Sequence, residues 1–294
     1  MTSLGLNIAS DLRRARALGL DLLDAQLLLL HALDKPSGDR AWLAAHDDET
    51  LAPDVAKKFQ GCVERRLAHE PLAYIVGQRE FYGLSLHVDR RVLIPRPDTE
   101  TLVTWALELL RDKPEARLID LGTGSGAIAL ALKHQRGNLQ VSALDASTEA
   151  LAVARENARR LRLDVRFMQG HWLDGIDEKF DLIASNPPYV RTGDPHLLAL
   201  HAEPEQALVA GPDGLADLRQ IIAAAPTCLS AGGWLLLEHG HDQAEPVRGL
   251  LQDAGLREVG SRRDLAGIER CSGGRLDATL GIHEPLRRPG QARG

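Results

Sequence analysis

The chain is poor in the features that would cross-link it, anchor it or commit it to a polyanion. Its three cysteines, Cys62, Cys228 and Cys271, are far apart and share no paired spacing. That excludes a disulfide framework and reads as free buried thiols in a reducing, cytoplasmic compartment. No uninterrupted apolar stretch approaches the ~18–20 residues of a membrane span. The leucine-rich segment 22–33 is interrupted by Asp24, Gln26 and His31. At the N-terminus no basic region, apolar core and small-residue cleavage pattern follow one another, so no export signal is expected. Positive charge is not in excess either. The formal net charge of −6 counts against a nucleic-acid substrate, because phosphate neutralisation needs a basic face, although a local basic groove would escape this count.

What is present is an ordinary globular composition, 44% hydrophobic and 26% charged, over a length that holds one large or two modest domains. Residues 1–75 read as helical. Leu12, Ala15, Leu18 and Leu22-Leu23 recur at helical spacing, and the run 26–33 ends at the breaker cluster Lys35-Pro36-Ser37-Gly38. Pro53 suits the first turn of a further helix, with Val55, Phe59, Val63 and Leu67 on one face. The expectation is a small helical bundle. Its nine lysines and arginines against eleven acids do not make a basic arm.

Residues 76–97 change character. Phe81-Tyr82-Gly83-Leu84-Ser85-Leu86-His87-Val88 suggests extended chain, and Ile94-Pro95-Arg96-Pro97 cannot be regular helix throughout, so a β-hairpin connector is expected. Residues 98–282 open on a helical pattern at 99–110. From 117 onward strands are predicted at 117–121, 140–144, 165–169, 180–185 and 234–238, with helices near 125–134, 147–161 and 214–229. Such alternation implies a parallel sheet with crossovers on both faces. Two last strands, near 256–263 and 269–281, are too close for a parallel crossover and should be antiparallel. An α/β fold with a mostly parallel sheet and an antiparallel last strand follows. It separates a Rossmann-like methyltransferase architecture from the dinucleotide-binding one. The tail 283–294, with Pro285, Pro289 and three arginines, has no apolar period and is expected to be disordered.

Two loops carry chemistry. Leu118-Ile119-Asp120-Leu121-Gly122-Thr123-Gly124-Ser125-Gly126 reads as a strand turning on glycines into a helix. Gly122, Gly124 and Ala127 satisfy a loose dinucleotide pattern, which alone does not choose a cofactor; no Gly-Lys-Ser/Thr follows, which argues against a P-loop. The glycines let backbone approach a ligand closely. Asp145, at the end of the next strand, can accept both hydroxyls of a ribose or cap the following helix at Ser147. Trp172 can flank an adenine ring or fill the core.

The second loop, Asn186-Pro187-Pro188-Tyr189, follows the fourth strand. An amide or aromatic amine nitrogen is a poor nucleophile because its lone pair is delocalised. A site that methylates it must hold both N–H bonds. The Asn186 side-chain oxygen and the Pro187 carbonyl can each accept one, the prolines stiffen the acceptors, and the Tyr189 ring can pack on the planar group. His239-Gly240-His241 follows a strand without nearby cysteines, so no metal is expected there. No nucleophile–base arrangement stands out.

These motifs, together with Phe81-Tyr82-Gly83, the run Val92-Leu93-Ile94-Pro95-Arg96-Pro97-Asp98-Thr99-Glu100, Glu203-Pro204 with Ala207-Leu208, Gly211-Pro212-Asp213-Gly214-Leu215, Leu237-Glu238-His239-Gly240 and Asp264-Leu265-Ala266-Gly267, resemble the bacterial peptide chain release factor glutamine methyltransferases. The resemblance spans roughly residues 10–282. It implies a seven-stranded class I methyltransferase sheet and a helical domain that docks the substrate protein. It implies transfer of a methyl group from S-adenosyl-L-methionine to the glutamine amide nitrogen of the Gly-Gly-Gln motif of class 1 release factors. Carried over by position, Gly122, Thr123, Gly124, Ser125, Gly126, Asp145, Trp172 and Asn186 would contact the cofactor. Asn186, Pro187, Pro188 and Tyr189 would hold the glutamine, with Asn186, Pro187 and Tyr189 as the catalytic set. No membrane and no direct nucleic-acid partner are implied. Asn-Pro-Pro-Tyr also occurs in adenine and guanine amino-methyltransferases, and a related branch methylates a ribosomal protein glutamine. A nucleic-acid enzyme would need a basic groove leading to Asn186, and a binding module would hold cofactor without turnover.

Overall fold

The computed structural model describes residues 7–278, and the chain divides into two units, Met1–Gln78 with Val88–Arg90, and Arg79–His87 with Arg91–Gly294. The expectation for the tail 283–294 lies outside the described residues.

The first unit holds five helices: α1 (Ile8–Ala17), α2 (Leu22–Ala32), α3 (Arg40–Ala45), α4 (Pro53–Leu67) and α5 (Leu72–Val76). Side chains cap the first two, Asn7 accepting from the Ser10 amide and Asp21 from the Leu23 amide, while Pro53 occupies the first turn of α4 as its lack of an N–H allows. Ile8, Leu28, Leu29, Leu30, Leu43, Phe59 and Val63 form the core. An Arg66–Asp24 pair at 2.7 Å ties α4 to α2. The expected apolar spacing does not all turn inward. Gly19 breaks the helical run after α1, and Leu18, Leu22 and Leu23 are left 58%, 41% and 45% exposed. Leu67, in the last residue of α4, is exposed as well.

The strands β1 (Gln78–Phe81) and β2 (Leu84–His87), which but for Gln78 belong to the second unit, form a hairpin whose two-residue turn, Tyr82-Gly83, has positive φ at both positions. This turn type matches strand twist. Phe81, Leu84 and Leu86 are buried in the main core. The side chain of Asn157 imitates a pairing strand. Its Oδ1 accepts from the His87 amide at 2.7 Å, and its Nδ2 donates to the carbonyls of His87 and Ser125 at 2.9 Å each.

After a 3₁₀ turn at Pro97–Thr99 and helix α6 (Glu100–Leu109), strands and helices alternate: β3 (Arg117–Leu121), α7 (Ala127–Gln135), β4 (Gln140–Asp145), α8 (Thr148–Leu161), β5 (Arg166–Gln169), β6 (Phe180–Ser185), α9 (Ala216–Cys228), β7 (Leu229–Glu238), α10 (Ala244–Asp253), β8 (Arg257–Arg263) and β9 (Glu269–Arg275). The sheet order is β5-β4-β3-β6-β7-β9-β8. β9 alone runs antiparallel to its neighbours. The mostly parallel seven-stranded sheet with an antiparallel last strand is as expected. Successive strand residues serve opposite faces. Leu118, Leu182 and Leu236 join one core with α7; Ile119, Ile183 and Leu235 join the other with α9.

Three elements differ from the expectation: the last strand, expected near 269–281, ends at Arg275, and β7 and α10 depart as follows. β7 starts at Leu229 rather than 234, because the chain through Gly232-Gly233 joins the sheet as a bulged strand, with pairing shifting between Phe180↔Leu229 and Leu182↔Trp234. α10 was not anticipated: Pro246 and Gly249 interrupt its pattern, yet a proline is tolerated in a first turn.

The chain order reverses beside β3, with β4 on one side and β6 on the other. Leu121 pairs with Leu144 and with Ser185. Gly122, Asp145 and Asn186 therefore leave three adjoining strands at the same carboxyl edge. That edge, at the switch point, is where open α/β sheets bind ligands.

Candidate active site

A cleft of about 730 Å³ lies along this edge, lined among others by Gly122, Gly124, Asp145, Trp172, Asn186 and Pro188. Its size is that of a small-molecule site. Thr123, Ser125, Gly126, Pro187 and Tyr189 do not line it. Thr123 and Ser125 are buried inside the glycine loop, where the Thr123 hydroxyl donates to Asp120 Oδ2 at 2.6 Å and the Thr123 amide to the Leu144 carbonyl at 3.0 Å. They shape the loop from behind.

Asp120 is fully buried beneath that loop. Its Oδ2 also accepts from the Ala129 amide at 3.2 Å, while Oδ1 has no hydrogen-bond partner. Burial, with a smaller contribution from the charge of Asp145, pushes its carboxyl up to about 7. Asp145 sits at the cleft itself. Oδ2 accepts from the Gly124 amide and Oδ1 from the Ser147 amide, both at 2.9 Å, and Ser147 in turn caps α8 through the Ala150 amide. Burial raises the Asp145 carboxyl, and those backbone donors oppose the shift. The helix-start and ligand-facing readings of Asp145 are thus compatible: each oxygen takes one amide and keeps a second acceptor direction.

Trp172 lies over Gly122. A Cβ on Gly122 would come 3.1 Å from the indole ring, at a φ of +66°, so only glycine admits this close approach. The indole N–H donates to Asp217 Oδ1 at 3.1 Å. Asp217 lines the cleft, and burial raises its carboxyl against the Trp172 bond. Sequence reading missed it, since an acid in the first turn of α9 looks like an ordinary helix-dipole partner.

The Asn186–Tyr189 loop is fixed from three sides. Asn186 Nδ2 donates to Thr99 Oγ1 at 3.2 Å, which makes Oδ1 the amide atom left for a ligand. The Tyr189 hydroxyl donates to Glu238 Oε1 at 3.4 Å, and its carbonyl accepts from Gln243 Nε2 at 3.1 Å. The Val190 amide donates to Leu208 at 2.8 Å. Gly214 packs beneath: a Cβ there would fall 2.3 Å from the Tyr189 carbonyl oxygen. Burial and the Glu238 charge push the Tyr189 hydroxyl above its ordinary value, so it stays protonated and a donor. On the far wall, Glu203 accepts from the Ile94 amide at 3.0 Å and from the Arg96 guanidinium. Thr99, Glu238, Gln243 and Asp217 are the supporting residues that the sequence did not single out as such.

Elsewhere, His239 is buried with Nδ1 on the Gly240 carbonyl and Nε2 on Ser272 Oγ. No group of three or more metal-ligating side chains occurs among the described residues, and no helix among them is long and apolar enough to cross a membrane. The three cysteines are free and buried.

The sheet, its single antiparallel strand and the two loops at one carboxyl edge define a class I methyltransferase. The family model "Methyltransferase small domain" matches residues 99–210 and "PrmC N-terminal domain" matches residues 6–77. Among solved structures, a methyltransferase from Pyrococcus furiosus aligns with a TM-score of 0.50 at 19% identity, over 73% of this chain and 97% of that one. The delta-N METTL16 MTase domain aligns at 0.52 and 19%, over 74% and 98%. These likenesses are of fold. Curated relatives are more similar in sequence: the release factor glutamine methyltransferase of Bordetella pertussis is 48% identical over 88% of this chain and 96% of its own length, and that of Xylella fastidiosa (strain Temecula1) 48% over 87% and 94%. The chain belongs to the release factor glutamine methyltransferase family.

The buried Asp120 makes a pH prediction. Its folded pKa of about 7 lies above the ordinary value of 3.8, so the folded state binds the proton more tightly and stability falls as pH rises through that window. Asp120→Asn should flatten the decline in urea-unfolding stability between pH 4 and 7. An undiminished slope in the variant would contradict this placement of the charge.

Proposed function

We propose that this protein transfers a methyl group from S-adenosyl-L-methionine to the side-chain amide nitrogen of the glutamine in the Gly-Gly-Gln motif of class 1 release factors, in the cytoplasm. The observation that carries the reading is the Asn186 amide, whose nitrogen is held by Thr99 and whose oxygen is left to accept an N–H at the edge of the cleft.

The residues present fit the methyl donor. Gly122 and Gly124 bring backbone to the cleft, and a Cβ at Gly124 would meet nothing within 4 Å. Asp145 suits the ribose hydroxyls and Trp172 suits the adenine. Thr123, Ser125 and Gly126 form the loop that carries these contacts. The cleft's charged lining comprises Asp145, Glu149 and Asp217 against Arg91, which favours a cationic ligand over a pyrophosphate. Once bound, S-adenosyl-L-methionine supplies an electrophilic methyl on a sulfonium.

The chain's own work is then orientation. Asn186 Oδ1 accepts one amide N–H and the Pro187 carbonyl the other, holding the amide plane so that the face carrying the nitrogen lone pair is presented to the methyl carbon. Pro188 stiffens the loop, and Tyr189, anchored on Glu238 behind the cleft, sets its geometry. Alignment supplies most of the acceleration. No strong base is needed first, because the methylated nitrogen loses its proton readily.

The helical unit is assigned to docking the release factor. Leu18, Leu22 and Leu23 are exposed leucines at the α1–α2 junction, and the unit has no basic excess to attract nucleic acid. A direct nucleic-acid partner is not part of this reading.

Two substitutions at the cleft should separate. Asn186→Ala should lower kcat by roughly 10²–10³, the loss of one oriented polar contact, and near-normal turnover in a folded variant would remove that role. Asp145→Ala should chiefly weaken binding of the methyl donor; unchanged affinity by calorimetry would confine Asp145 to the start of α8. On the helical unit, Leu22→Glu with Leu23→Glu should raise KM for the release factor about tenfold, as loss of an apolar anchor does, and leave donor affinity unaltered. An unaltered KM would move docking elsewhere.

A further inference from the structure

Asp217 is a partly buried acid in the first turn of α9, and it lines the cleft. Its Oδ1 accepts the indole N–H of Trp172 at 3.1 Å. The same indole reaches Gly122, where a Cβ would stand 3.1 Å from its ring. One indole ring and one hydrogen bond therefore join the Asp217 carboxylate to the end of β3. Trp172 adopts a φ of +47°, which a bulky side chain takes rarely, so its placement is held against a backbone cost.

The other charges of the cleft are differently committed. Asp145 gives one oxygen to the Gly124 amide and the other to the Ser147 amide. Glu149 and Arg91 line the cleft from exposed positions, where solvent screens them. Asp217 accepts one side-chain hydrogen bond, on Oδ1, and among the described residues Oδ2 receives none.

Resting on the proposed function, we infer that Asp217 is a specificity-determining residue: held by Trp172, its carboxylate favours the sulfonium of the methyl donor over the neutral thioether left after transfer. Donor and product differ by one methyl group and one positive charge. As the N–C bond forms and the S–C bond breaks, sulfur keeps the electron pair, and the charge passes to the nitrogen and departs with its proton. The adenine, ribose and amino-acid portions are common to both, so Gly122, Gly124 and Asp145 hold the two alike. Only a group that reads the charge tells them apart.

The sulfur has to come near the end of β3. Leu121 pairs with Ser185, Asn186 follows at once, and the reacting atoms must approach to about 3–3.5 Å of each other. A carboxylate one indole away in a half-enclosed cleft acts on that charge at an effective dielectric well below that of water. Loss of the charge on transfer then loosens the product and favours its exchange for fresh donor. An acid that served only the dipole of α9 would support both ligands equally.

Calorimetric titration of the full chain with S-adenosyl-L-methionine, and separately with S-adenosyl-L-homocysteine, tests this at mildly alkaline pH, where the carboxylate is charged. Asp217→Asn keeps an acceptor for the indole N–H and removes the charge. It should weaken donor binding about tenfold and leave product binding within about twofold. Asp217→Ser should shift the ratio of the two affinities in the same way, so the result does not hang on the folding of one variant. Glu149→Gln, which removes an exposed charge, should move that ratio by less than about twofold. A ratio changed by less than about threefold in both Asp217 variants, or donor and product affinities that fall together, would overturn the inference and reduce Asp217 to a support of Trp172 and α9. An equal shift in Glu149→Gln would overturn it too, since any acid at the cleft would then serve. Wild-type protein that binds neither ligand would sink the functional reading and the inference with it, whereas binding of both with an unshifted ratio sinks the inference alone.

Discussion

The parallel pairing of β3 with β6 is the constraint on which the site depends. The 58 residues 122–179 separate the two strands, yet Leu121 lies opposite Ser185, so the glycine loop and the Asn-Pro-Pro-Tyr loop begin side by side. A slip of one residue would turn the apolar faces of β6 inside out, which the burial of Leu182, Ile183 and Ala184 forbids. The Ser185 hydroxyl adds a lock, donating to the Leu121 carbonyl at 2.7 Å. Geometry at the cleft is therefore inherited from strand register, and strand register from two apolar cores.

Around that edge the protein places acids where they are not exposed to solvent. Asp120 closes the glycine loop, Glu203 ties Ile94 and Arg96 to the far wall, and Glu238 holds the Tyr189 hydroxyl. Each accepts hydrogen bonds from groups that would otherwise swing. The reaction asks for orientation of a weak nucleophile, not for a strong base, and a rigid shell of buried acceptors meets that demand. The stability given up in burying Asp120 and Glu238 is consistent with residues kept for geometry.

Much of this was legible in the sequence, for a physical reason. Apolar runs such as 117–121 and 180–185 are strands buried on both faces, and their ends coincide with β3 and β6. The loop residues facing the cleft, Gly122, Gly124, Asp145, Trp172, Asn186 and Pro188, could be nominated because each carries a distinctive chemistry at a strand end. What escaped was support from afar. Thr99 meets Asn186 across 87 positions and Trp172 meets Asp217 across 45, and nothing local marks either pair. The early start of β7 through Gly232-Gly233 and the helix α10 around Pro246 also escaped, since tertiary pairing and first-turn placement admit residues that ordinarily break such elements.

The substrate atom, the glutamine amide nitrogen, is what every feature of the cleft serves. The most direct measurement is transfer of labelled methyl from S-adenosyl-L-methionine to a purified class 1 release factor, beside the same factor with its Gly-Gly-Gln glutamine replaced, and with ribosomal protein and DNA controls. Label that disappears with the glutamine is the predicted result. Label retained on the replaced factor, or found only on ribosomal protein or DNA, would contradict it.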